Sequence, residues 1–256
     1  MYLVKSCFKR DNIWKRKTIK IGTLTEYRDT EEQQIVDREE GMINLSFDLI
    51  HFHMPIPLLN NLNTISHGLS SFHLKEIKLR PNPLFTNHVY AEKYSANTSL
   101  IKFNRFIFCI SELDKPDMCK NIFKEYDDYW YLPGDRTQLF GDALSLLILE
   151  EVSNRLQRGE KIFSTDSVTH PLEIRWYCNN IFYTPRQILI NNTKLYTESS
   201  NILYWLSEGH MVKPDNFQHE QEMRFIFDIY CNNKLLQPLN KPLFINAEKI
   251  LPLVKN

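Results

Sequence analysis

The stretch MVKPDNFQHEQEMRFIFDIY, residues 211–230, carries the densest structural information in the chain. Its first part contains Pro214 and Asp215 and reads as a loop. Residues 223–230 (MRFIFDIY) are aromatic and β-branched and read as a strand. Glu220 and Glu222 stand between the two. In extended backbone, side chains two residues apart share a face, so both carboxylates are expected to point into one cleft. Adjacent carboxylates repel, which raises one pKa and makes a base. A carboxylate also stabilises a developing oxocarbenium ion. The same spacing fits two exposed glutamates on an edge strand, one of them paired with Arg224.

Further strands are predicted on either side of this stretch. Residues 105–111 (RFIFCIS) are aromatic and β-branched with little polarity, and Cys109 within them reads as core. Residues 2–7, 18–22, 72–79, 172–178 and 242–246 also read as strands, and 42–47 alternates apolar and polar positions as a half-buried strand does. Residues 142–158 form the clearest helix, with Ala143, Leu146, Leu147 and Leu156 as its apolar stripe, Glu150 and Glu151 behind, and Gly159 at its end. Residues 200–208 read as a short helix before Gly209. Pro55, Pro57 and the asparagines of 60–63 suggest a loop. No regular strand–helix alternation is visible, so a doubly wound parallel sheet is disfavoured. The expectation is an α+β fold in a single domain over residues 1–256, with a mixed or antiparallel split β-sheet core and flanking helices.

Composition agrees with a folded domain. The 256 residues are 43% hydrophobic and 12% aromatic, enough for a substantial core. Thirty-one basic and 31 acidic residues balance to zero, so no global field draws the chain to nucleic acid or membrane. Locally the charge is uneven. Lys5, Lys9, Arg10, Lys15, Arg16, Lys17 and Lys20 crowd the first twenty residues. Glu26, Asp29, Glu31, Glu32, Asp37, Glu39 and Glu40 dominate the next twenty. These are two solvated faces, or a basic edge that guides a polyanion. Five cysteines without C-x-x-C spacing argue against a zinc ribbon or disulfide framework and fit reduced thiols in a cytoplasm. No signal-peptide core or membrane-length apolar run is present.

Several chemistries lack their motifs. There is no phosphate-binding P-loop, no G-x-G-x-x-G, no H-E-x-x-H and no G-x-S-x-G. His51 and His53 share a face if extended but have no evident third ligand, so no metal site is expected.

Glu220-Gln221-Glu222 resembles the E-x-E signature of ADP-ribosyltransferases. The patterns KIGTLTEYRD (residues 20–29), Glu40-Gly41, FCIS (108–111) and K-P-x-x-F-x-x-E-x-E-x-R (213–224) resemble a bacterial group linked to phage defence and toxin–antitoxin loci, similar to a toxin that ADP-ribosylates mRNA. The resemblance implies an ADP-ribosyltransferase-like fold and NAD as substrate. It makes Glu222 the main catalytic residue, holding the nicotinamide ribose, and Glu220 the acceptor-side residue. It further implies cofactor contacts from Arg28 and Ser111, and stacking on nicotinamide by Tyr126 or Tyr129. The acceptor it implies is a macromolecule, RNA favoured, held through phosphate contacts from Lys15, Arg16 and Lys17. A toxin also implies a neutralising antitoxin protein. Two other readings remain open: a non-enzymatic interaction module, and a metal-dependent nuclease built on Asp215, Glu220 and Glu222, with Arg224 where a lysine is usually needed.

Overall fold

A computed structural model describes residues 1–29, 36–64, 70–165, 168 and 171–256. Glu31 and Glu32 of the acidic stretch lie outside them. In chain order the strands are β1 (Tyr2–Cys7), β2 (Thr18–Thr23), β3 (Met42–Pro55), β4 (Ser71–Pro81), β5 (His88–Ile101), β6 (Phe106–Leu113), β7 (Asp128–Pro133), β8 (Leu172–Asn180), β9 (Phe182–Tyr183), β10 (Gln187–Ile190), β11 (Val212–Lys213), β12 (Glu222–Cys231), β13 (Lys234–Leu236) and β14 (Leu243–Asn246). The α-helices are α1 (Ile13–Arg16), α2 (Glu26–Asp29), α3 (Ile56–Thr64), α4 (Thr137–Gln157), α5 (Asn192–Thr197) and α6 (Ser199–Glu208). The fold is α+β. The chain gathers into two compact units. Unit 1 comprises Met1–Glu40, Asn104–Ile181 and Asn216–Asn256; unit 2 comprises Gly41–Phe103 and Phe182–Asp215.

Unit 1 is built on a curled antiparallel sheet with the path β13-β12-β6-β1-β7, extended by β8 on β12, β2 on β6 and β14 on β2. β12 is its centre, with β8 along one side and β6 followed by β13 along the other. Residues alternate between its faces as the pleat requires. Phe225, Phe227 and Ile229 enter the main core, where Phe108, Trp130 and Phe140 join them. Glu222, Arg224 and Asp228 take the other face and are buried as well.

α4 covers the core face with Phe140, Leu144, Leu147, Ile148 and Val152. The helix begins five residues earlier than its apolar pattern suggested, and this sets a different stripe, leaving Leu146 exposed. Gly141 permits the close approach: a Cβ there would collide with the Trp176 ring.

Unit 2 carries the sheet β10-β3-β5-β4. β3 buries Ile43, Leu45, Phe47 and Leu49 in alternation, and α3, α5 and α6 supply Leu58, Leu62, Leu195, Ile202 and Trp205 to the same core. The region around Pro57 is therefore helix rather than loop. Pro57 occupies the first turn, where a missing N–H breaks no intrahelical bond. His51 and His53 lie in this unit, bonded to Tyr90 and Asn82 respectively. Among the described residues no helix is long and apolar enough to cross a membrane.

Candidate functional site

The polar face of the β6–β12 ladder holds a buried charge cluster. Glu222 lies opposite Ser111, and Arg224 lies opposite Cys109. Arg224 is 1% exposed. Its Nε donates to Glu222 Oε1 at 2.7 Å and its Nη1 to Glu40 Oε1 at 2.8 Å. Burial opposes the guanidinium charge, but Glu222 and Glu40 outweigh it and hold Arg224 protonated well above its ordinary range. Arg28 joins the cluster through Glu40, its Nε donating to the Glu40 carbonyl oxygen at 2.7 Å. Ser111 is buried beside these groups.

Tyr27, next to Arg28, is the residue that sequence reasoning missed here. Burial, the neighbouring Cys109 and Glu222, and a hydrogen bond from its hydroxyl to the Cys109 thiol push it well above the usual tyrosine range; Arg224 offsets this only in part. Cys109 is thus not a core thiol, since it faces away from the Phe108 and Ile110 side of β6.

The premise that paired Glu220 with Glu222 does not hold. Glu220 closes a 3-10 turn, Asp215–Glu220, and Gln221 has φ 46°, so the backbone is not extended between them. Alternation then fixes no common face. Both glutamates are buried all the same.

A cleft of about 430 Å³ opens in the same unit. It follows from a divergence of strands. β1 pairs with β6 only at Ser111–Leu113, and β2 only at Phe106 and Ile107. Phe108, Cys109 and Ile110 therefore have no strand on that edge among the described residues. The Lys5 ammonium fills the gap, donating to the Cys109 carbonyl oxygen at 2.8 Å. Tyr27, Tyr126 and Trp130 line the cleft, with Arg16 at its edge.

The structure therefore separates the expected site residues. Arg28, Ser111 and Glu222 come together. Tyr126 lines the cleft, with its ring edge-on to Phe8 at 5.0 Å. Tyr129 does not line it, because β7 turns it to the small cluster of Val4, Leu113 and Cys119. Lys15 and Lys17 are exposed around α1 and do not line the cleft. Arg16 is ion-paired to Asp11 at 3.0 Å. Glu40 and Tyr27 fall within the sequence patches quoted above, but nothing local marked them as members of the site.

Comparison with protein-family models, with curated proteins and with solved structures gives no match.

Proposed function

We propose that this chain is an NAD-consuming ADP-ribosyltransferase in which Glu222 is the catalytic carboxylate. One observation carries the reading: Arg28, Ser111 and Glu222 were singled out from three distant stretches of sequence and meet in one buried cluster. The curled antiparallel sheet of unit 1 is compatible with the fold this reading implies.

In the proposed chemistry, Glu222 stabilises positive charge on the ribose as the bond to nicotinamide breaks. A fixed carboxylate in a poorly solvated site acts more strongly than one in water. Arg224 fixes its orientation from one side, and Glu40 holds Arg224 from the other. This arrangement needs no reorganisation as charge develops. Ser111 is close enough in register to orient the ribose, and Arg28 supplies positive charge for the pyrophosphate. The acceptor is proposed to be RNA, supported by the exposed cations of α1. A role as a toxin or phage-defence effector, with an antitoxin protein as partner, is part of the same proposal.

The test is incubation of purified protein with labelled NAD and separate pools of RNA, DNA and cell protein, alongside Glu222→Gln. Label in the RNA pool with wild type only is the expected result. No label and no nicotinamide release from folded protein overturns the proposal. Magnesium-dependent cleavage of nucleic acid without NAD would replace it with the nuclease reading.

A further inference from the structure

Arg16 apart, the cleft between β1 and β2 is lined by groups that the proposed transfer chemistry does not use. Arg16 and Lys20 reach it, but each is matched by a carboxylate, Asp11 at 3.0 Å and Glu26 at 2.6 Å. Lys5 differs. It is partly buried and forms no ion pair among the described residues. An ammonium has three N–H donors. One serves the Cys109 carbonyl, and the alkyl stem brings the charge 5.3 Å from the Phe108 ring centroid. The local charge on this lining is therefore one positive unit in excess.

Six of the sixteen lining residues are aromatic. Trp130 and Phe108, stacked on one another at 6.1 Å and each 3% exposed, back the wall from the core and leave Tyr126 and Phe244 as its open aromatic faces. Phe244 stands at the rim, 56% exposed, on the outer strand β14. Tyr126 lies on the same cleft, and Tyr27 separates it from the Glu222 cluster. Aromatic faces bind planar bases with little regard to sequence, and an ammonium in a restricted space selects an anion. A volume of about 430 Å³ lies within the range of small-ligand sites.

We infer that this cleft binds a single nucleotide, its base against the aromatic lining and its phosphate at the Lys5 ammonium. The inference stands apart from the transfer chemistry, because no atom of Glu222, Ser111 or Arg28 lines the cleft. The nucleotide is either free or one half of a dinucleotide such as NAD, since both present the same ring and phosphate.

The experiment is calorimetric titration of the full chain with AMP and with adenosine, in the wild type, Lys5→Met and Phe244→Ala. AMP is expected to bind about tenfold or more tightly than adenosine, a difference of one decade in Kd. Lys5→Met should remove that preference and leave adenosine binding unchanged. Phe244→Ala, on an exposed side chain that the fold does not need, should weaken both ligands. Repeating the AMP titration with saturating NAD identifies the source. Competition assigns the cleft to one half of the dinucleotide, and undiminished binding assigns it to a separate nucleotide. The inference is overturned if AMP does not bind, if AMP and adenosine bind alike in the wild type, or if folded Phe244→Ala keeps wild-type affinity. Each of these leaves the Glu222 proposal standing, because that is read from label transfer.

Discussion

Glu222 and Ser111 lie directly opposite one another across the β6–β12 ladder, although a large part of the chain separates them in sequence. A cross-strand pair has Cβ atoms close enough to act on one ligand group. Glu222→Gln keeps the shape and loses the charge. It is expected to lower nicotinamide release by about a hundredfold or more, the usual cost of removing a preorganised electrostatic partner. Ser111→Ala should cost about fivefold, the worth of one neutral hydrogen bond. Both variants should retain wild-type circular dichroism. A Glu222→Gln protein as active as wild type sinks the assignment.

Arg224 bridges Glu222 and Glu40 where all three are buried. Arg224→Met removes the guanidinium that both carboxylates share. Breaking a buried ion pair from one side costs about 3–5 kcal/mol. Arg224→Lys should recover only part of that loss, because one ammonium cannot reproduce a planar fork directed at two carboxylates. Urea denaturation midpoints should rank wild type, Lys and Met in that order. Equal midpoints for Lys and wild type would mean that charge alone matters.

Cys7 lines the cleft, yet its thiol is pushed from 9.0 up to about 12 by burial first and by Asp128 next. The unfolded chain gives up this proton near pH 9, while the folded chain keeps it until near pH 12. The unfolded state then binds fewer protons, so stability falls as pH rises through that window. Cys7→Ala should lessen the fall between pH 9 and 10, and the remainder belongs to Cys119 and Cys178, whose thiols burial also raises from 9.0. Alkylation by iodoacetamide at pH 8 should be far slower at Cys7 than in the urea-unfolded chain, because the thiolate is the reactive form. Equal rates in folded and unfolded protein would contradict the burial.

Gly141 meets the Trp176 ring, which Phe225 stacks on at 6.0 Å and Asp142 holds through a 2.9 Å bond from Nε1. The ring has little room to retreat. Gly141→Ala gains helix propensity but overpacks the interface, for a net loss of about 1–3 kcal/mol. Adding Trp176→Leu should make the alanine less harmful than it is alone, a coupling that a double-mutant cycle measures. Additive effects would show that the two residues do not share the space.

The strands that sequence reading found were those whose side chains already looked like strand interiors: RFIFCIS, MRFIFDIY and the alternating 42–47. β5 was missed because the consecutive polar residues Glu92 and Lys93, and Asn97 beyond them, interrupt its apolar alternation. β7 was missed because Asp127 and Asp128 stand at its entry, where acidic residues argue against a strand. The functional cluster was legible only in parts. Glu222, Ser111 and Arg28 each stood in a recognisable patch. Glu40 and Tyr27 joined them through contacts that no local periodicity encodes. The alternation rule misplaced Glu220 because Gln221, a residue that seldom adopts a left-handed backbone, does so here. The long polar face of β12 was hidden by the same apolar alternation that revealed the strand.

Unit 1 is gathered from three separated stretches of chain, with β12 in the last of them. A ribosome therefore delivers β1 and β2 first, then the first segment of unit 2, then β6, β7 and β8, then the rest of unit 2, and only afterwards the central strand of the sheet. Pairing across such distances is slow, because chain closure must precede the contacts that reward it. Until β12 is inserted, a nascent chain carries Ser111 and Arg28 without Glu222. The proposed activity is thus withheld from any translation product that stops before β12.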